Sequence, residues 1–177
     1  MVLATQNPIE YLGTYPLPEA QIDRFIMKIS IGYPEESEEK KILKLYEHKS
    51  PFESLQPVAT CEDIINVQSK VREIYCSDEI MKYIVKLVAM TRESDDLVLG
   101  ASPRGSLYVL LAAKAFALYD GRDFIIPDDV KEIFLPVLSH RLILRNEAKF
   151  NKVTPEQILN DIMKQVKVPT GDYHEKK

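Results

Sequence analysis

Apolar residues recur at three- and four-residue spacing from Pro34 to about Val166, the signature of amphipathic helices, whereas residues 1–33 carry short apolar runs cut by Pro8, Gly13, Pro16, Pro18 and Gly32. Met1–Thr5 reads as a buried strand and Phe25–Ile31 as a second, with one or two helical turns over Pro18–Arg24 between them. The helices follow. Glu35–His48 starts acidic, continues with Lys40, Lys41 and Lys44 in accord with the helix dipole, and gathers Ile42, Leu43 and Tyr46 on one face. Thr60-Cys61-Glu62-Asp63 has capping-box spacing and opens a helix toward Arg72. Ser77 or Asp78 caps a helix with an apolar stripe of Ile80, Ile84, Leu87 and Val88 that ends near Glu93. Ser102-Pro103 opens an alanine-rich helix to Tyr119, with Gly121 as its left-handed exit. Ile126-Pro127-Asp128-Asp129 starts a short helix expected to stop before Pro136, Leu142–Leu144 is a short strand, and Thr154-Pro155-Glu156-Gln157 opens a last helix to about Val166. Residues 168–177 are polar and expected to fray.

Composition narrows the class. The 177 residues are 45% hydrophobic and 28% charged, enough to bury a core in one globular unit or two small ones. A net charge of -4 without a basic recognition helix argues against a chain devoted to nucleic acid. The longest apolar run, Leu107–Leu118, contains Lys114 and is too short for a membrane span. Cys61 and Cys76 lack metal-ligand spacing and read as buried thiols in a reducing cytoplasm. His48, His140 and His174 are dispersed, with no metal site implied, and Arg141 and Arg145 read as solvated charges.

Three segments carry candidate chemistry. Asn7, in Ala4-Thr5-Gln6-Asn7-Pro8, either starts a turn or presents an amide at the carboxyl end of a strand, where open sheets hold ligands. Arg24, just ahead of the second strand, is alone a surface arginine paired with an acid. Arg104, in Gly100-Ala101-Ser102-Pro103-Arg104-Gly105, occupies the first turn of a helix, where the dipole disfavours a cation and an anionic partner is required. Either a phosphate or a carboxylate from Asp95 or Asp96 would serve.

Together with Gly13-Thr14-Tyr15-Pro16-Leu17-Pro18-Glu19-Ala20-Gln21-Ile22-Asp23-Arg24-Phe25, these segments resemble the MoxR branch of the AAA+ ATPases in order and separation. The resemblance implies a mainly α fold, a helical AAA+ lid preceded by the last strands of an α/β ATPase core, divided as residues 1–33, 34–168 and a tail at 169–177. It further implies that Asn7 is the sensor 1 amide that orients the attacking water. By the same resemblance Arg24 is the arginine finger that reaches the neighbouring subunit's nucleotide, and Arg104 is sensor 2, with Asn7 and Arg104 contacting ATP. Implied too are ATP and Mg in the intact protein, a homo-oligomeric, hexameric ring, remodelling or maturation of other proteins, and partners with a von Willebrand factor A domain. The chain contains no G-x-x-x-x-G-K-[ST] segment and no strand ending in paired acids. The sequence is therefore expected to begin part-way through an ATPase core and not to hydrolyse ATP alone. The alternative is a free-standing, non-catalytic helical interaction module derived from such a lid.

Overall fold

The computed structural model describes residues 2–6, 18–47, 50–171 and 173–174. It is mainly helical. In chain order the elements are α1 (Glu19–Ile22), α2 (Glu36–Tyr46), α3 (Cys61–Glu73), α4 (Asp78–Thr91), β1 (Leu97–Leu99), α5 (Pro103–Tyr119), α6 (Pro127–Leu138), β2 (Ile143–Leu144), α7 (Asn146–Phe150) and α8 (Pro155–Gln165). Short 3-10 turns occupy Pro51–Ser54 and Ser139–Arg141.

The helix starts follow the local chemistry. Thr60 and Asp63 close a reciprocal box at α3, with the Thr60 N–H donating to the Asp63 carboxylate at 2.7 Å and the Asp63 N–H to the Thr60 hydroxyl at 3.2 Å. Thr154 and Gln157 do the same at α8. Ser77 caps α4 through the Ile80 N–H. At α6 the backbone N–H of Ile126 donates to the Asp129 carboxylate at 2.8 Å, so the cap is supplied from inside the helix. Gly121 ends α5 at a φ of 75°, open to a residue without Cβ.

The buried set begins at Ile74. α4, α5, α6 and α8 enclose Ile80, Leu87, Val88, Val109, Ala113, Phe134, Val137 and Leu159, all essentially inaccessible to water. The backbone of Tyr75 joins the core to the end of α5, accepting from Ile125 N–H at 3.1 Å and donating to Asp123 at 2.8 Å. α2 and α3 contribute no buried side chain. The face predicted from Ile42, Leu43 and Tyr46 is accordingly exposed.

Several expectations are corrected. Residues 2–6 and 25–31 form no strand, because a ladder needs a row of a partner's N–H and C=O groups and among the described residues a single such contact forms, from Lys28 N–H to the Pro136 carbonyl. α6 continues through Pro136 to Leu138: the proline forfeits one hydrogen bond, and the burial of Phe134, Val137 and Leu138 outweighs that loss. β2 was expected as a strand, and its antiparallel partner is β1, which three residues are too few to announce. Of the two thiols only Cys76 is buried, and burial pushes it up to about 11; Cys61 stands exposed at the start of α3. Arg141, expected in solvent, is buried. Asn7 and His48 lie outside the described residues.

Candidate functional site

The loop ahead of α5 aims Arg104. Its geometry depends on close backbone approach: a Cβ on Gly100 would sit 2.5 Å from the Thr91 carbonyl oxygen at the end of α4. The Thr91 hydroxyl accepts from Ala101 N–H at 2.9 Å, and Arg92 Nε donates to the Ala101 carbonyl at 2.8 Å. Gly105 lets α5 approach Leu138 of α6, since its Cβ would lie 3.0 Å from a Leu138 methyl. The motif glycines thus fix the first turn of α5 against two other helices.

Arg104 does carry an anionic partner, and neither Asp95 nor Asp96 supplies it. Its Nη1 donates to Asp23 Oδ2 at 3.0 Å, with the guanidinium about half exposed. The neighbouring residue is Arg24. Arg24 is exposed, and no hydrogen bond or ion pair joins its side chain to another described residue. The structure therefore brings two of the three predicted residues to one place, Arg104 through its pair with the Asp23 carboxylate and Arg24 as the next residue along the chain.

The opposite side of Asp23 meets a buried cation. Arg141 Nε lies 3.2 Å from Asp23 Oδ1, an ion pair whose angle is too poor for a hydrogen bond. Arg141 also donates to the backbone carbonyls of Asp23, at 3.0 Å, and Phe25, and to Val137 at the end of α6. Its guanidinium lies 4.9 Å from the Tyr108 ring centroid, and the Tyr108 hydroxyl donates to the Arg24 carbonyl at 3.3 Å. Burial lowers the Arg141 pKa and Asp23 opposes that shift, so the group remains charged. His140 Nε2 lies 3.3 Å from the Phe25 carbonyl and 2.5 Å from Arg141 Nη1. Burial, and then the Arg141 charge, push the His140 pKa down, which keeps the ring neutral beside a cation.

Sequence reasoning singled out Arg24 and Arg104 and missed Asp23, Tyr108 and Arg141. The available signal was local: Asp23 precedes Arg24, and Arg141 adjoins the apolar run Leu142–Leu144.

The model of the AAA lid domain matches residues 89–162, and that of the ATPase family associated with various cellular activities (AAA) matches residues 1–27. The chain is 48% identical over 168 residues to YeaC of Bacillus subtilis, covering 95% of this chain and 52% of the relative. It is 38% identical over 178 residues to the chaperone MoxR1 of Mycobacterium tuberculosis, covering 96% and 47%. The chain belongs to the MoxR family of AAA+ ATPases. A crystal structure of a proposed ATPase from Cytophaga hutchinsonii superposes with a TM-score of 0.85 at 33% identity, covering 93% of this chain and 53% of that one. This MoxR-family chain thus spans about half the length of the relatives it matches. None of its described helices is long and apolar enough to cross a membrane.

Proposed function

We propose that this MoxR-family chain supplies the γ-phosphate-directed residues of an ATP-hydrolysing ring that remodels or matures other proteins. The observation that carries the reading is the pairing at Asp23: a half-exposed Arg104 held by a carboxylate whose chain neighbour, Arg24, has no side-chain partner among the described residues. A carboxylate and a phosphate offer a guanidinium the same acceptor chemistry, so the Asp23 oxygen marks where Arg104 already tolerates an anion. In this reading Arg104 is sensor 2, contacting the nucleotide of its own subunit, and Arg24 is the finger offered to the next subunit. Asn7 is the sensor 1 amide. The ring is a hexamer of copies in the cytoplasm, with von Willebrand factor A domain proteins as partners. Residues 1–33 close the ATPase core, 34–168 form the lid and 169–177 are its tail.

Bound Mg²⁺ would neutralise phosphate charge, but no group of His, Cys, Asp and Glu among the described residues converges to hold it. This chain contributes cations placed against developing negative charge, and without a phosphate cradle it does not hydrolyse ATP alone.

The test uses the full-length protein. Arg24→Ala is expected to leave nucleotide affinity nearly unchanged and to lower turnover by about 10³-fold. Mixing Arg24→Ala subunits with subunits lacking the phosphate-loop lysine should restore some hydrolysis, because an intact finger then meets an intact phosphate site. Arg104→Ala should weaken ATP binding in its own subunit and gain nothing from mixing, and Asn7→Ala should slow the chemical step with little loss of affinity. Unchanged turnover in Arg24→Ala, or rescue of Arg104→Ala instead, would overturn the assignment.

A further inference from the structure

The backbone around Arg24 is gripped along its length while the exposed Arg24 side chain has no partner among the described residues. Arg141 takes the carbonyls of Asp23 and Phe25 and reaches toward that of Ile26 at 3.4 Å. Tyr108 takes the carbonyl of Arg24 at 3.3 Å. Two residues on, Lys28 N–H donates to the Pro136 carbonyl at 2.9 Å, on the last turn of α6. All of these partners belong to α5, to α6 or to the turn that follows α6.

Arg141 is the centre of this grip. Its side chain is 1% exposed, and burying a cation is costly unless its donors are satisfied. The surroundings satisfy it chiefly with backbone carbonyls, spread over two separate segments of chain. A planar fork with five N–H groups can collect them together, whereas a lysine offers a single point of charge and an aliphatic chain offers none.

We propose that Arg141 is the positioning residue of the Arg24 finger, locking residues 23–26 to the lid so that the finger moves as one body with Arg104, which meets Arg141 at the same carboxylate, Asp23. The inference rests on the reading of Arg24 as a finger. Arg141 touches no nucleotide in this scheme; it acts through the backbone it holds. Lid position in one subunit is thereby communicated to the finger that subunit offers its neighbour.

The first measurement needs only this chain. Amide hydrogen exchange of Arg24, Phe25 and Lys28, whose N–H groups donate to the carbonyls of Gln21, Ile22 and Pro136, should quicken at least tenfold in Arg141→Lys, while amides of α4 and of α6 around Val130 keep their protection. If Arg141→Lys loses its fold, Asp23→Asn approaches the same contact from the other side and should loosen the same amides. Unchanged exchange at Arg24, Phe25 and Lys28 in the folded variant overturns the proposal. The second measurement uses the full-length ring. Arg141→Lys should cut kcat at least tenfold with the KM for ATP unchanged, and mixing with subunits lacking the phosphate-loop lysine should restore turnover, as for Arg24→Ala. A raised KM without rescue by mixing would make Arg141 a residue of its own subunit's nucleotide site and overturn the proposal. Arg24→Ala, assayed alongside, separates the failures: if it shows no defect of this kind the finger reading falls and the proposal with it, and if only Arg141→Lys departs, the positioning role alone falls.

Discussion

Asp129 is the polar residue on which the start of α6 depends. It is 1% exposed, and its carboxylate accepts both Arg122 Nη groups, at 2.7 and 2.5 Å, as well as the Ile126 N–H. Arg122 has Asp120 and the Phe124 carbonyl as its other partners. Asp129→Ala removes the cap and leaves a partly buried guanidinium under-compensated, so urea unfolding should show a loss of about 3 kcal/mol. His140 should make a pH-dependent contribution to stability. Its folded pKa lies below the unfolded value of about 6.5, so the unfolded chain binds more protons as acid is added. The stability it confers is complete above about pH 6.5 and declines as pH falls below that. Urea midpoints between pH 8 and 5 should fall more in the wild type than in His140→Gln, and parallel curves would contradict this.

Among the elements, α4 and the connection to α5 approach backbone to backbone at Gly100. A methyl at Gly100 would collide with backbone at Thr91 and Arg92, atoms that cannot rotate away, so Gly100→Ala must shift the start of α5. A loss of about 2 kcal/mol on denaturation is expected, together with weakening of the Arg104–Asp23 pair, visible as a changed Arg104 side-chain environment by NMR. Elements of this kind were legible wherever the signal was local. Thr60 with Asp63, Thr154 with Gln157, and Ser102-Pro103 each lie within four residues and mark their helix starts correctly. β1 and α7, three and five residues long, fall below the length at which periodicity speaks. The apolar alternation of Phe25–Ile31 misled because a strand also needs a neighbour to pair with. Arg24 and Arg104 were singled out because they sit in motifs. Arg141 was not, because its burial depends on residues more than a hundred positions away, and Arg beside an apolar run is ordinary at a surface.

At the level of the whole molecule, stability is unevenly distributed. Core side chains begin at Ile74, and α2 and α3 bury none, although Lys114 on α5 donates to the Arg72 carbonyl at 3.1 Å. Limited trypsin treatment should therefore cut first at Lys40, Lys41 or Lys44 and leave a stable product that extends through Val166. Lasting protection of those lysines would show that α2 is held more firmly than its exposure implies. The contact between Asp23 and Arg141 has a kinetic corollary. It joins residues 118 apart in the chain, and Arg141 has no fixed direction until α6 has formed beneath it. Closing so long a loop costs little more than closing one half its length, so the order of events, more than entropy, delays it. Its contacts should be absent from the folding transition state: Asp23→Asn should leave the refolding rate of the helical core unchanged and accelerate only the unfolding limb of the chevron. The segment around Arg24 would then be the last part of the molecule to find its place and the first to leave it.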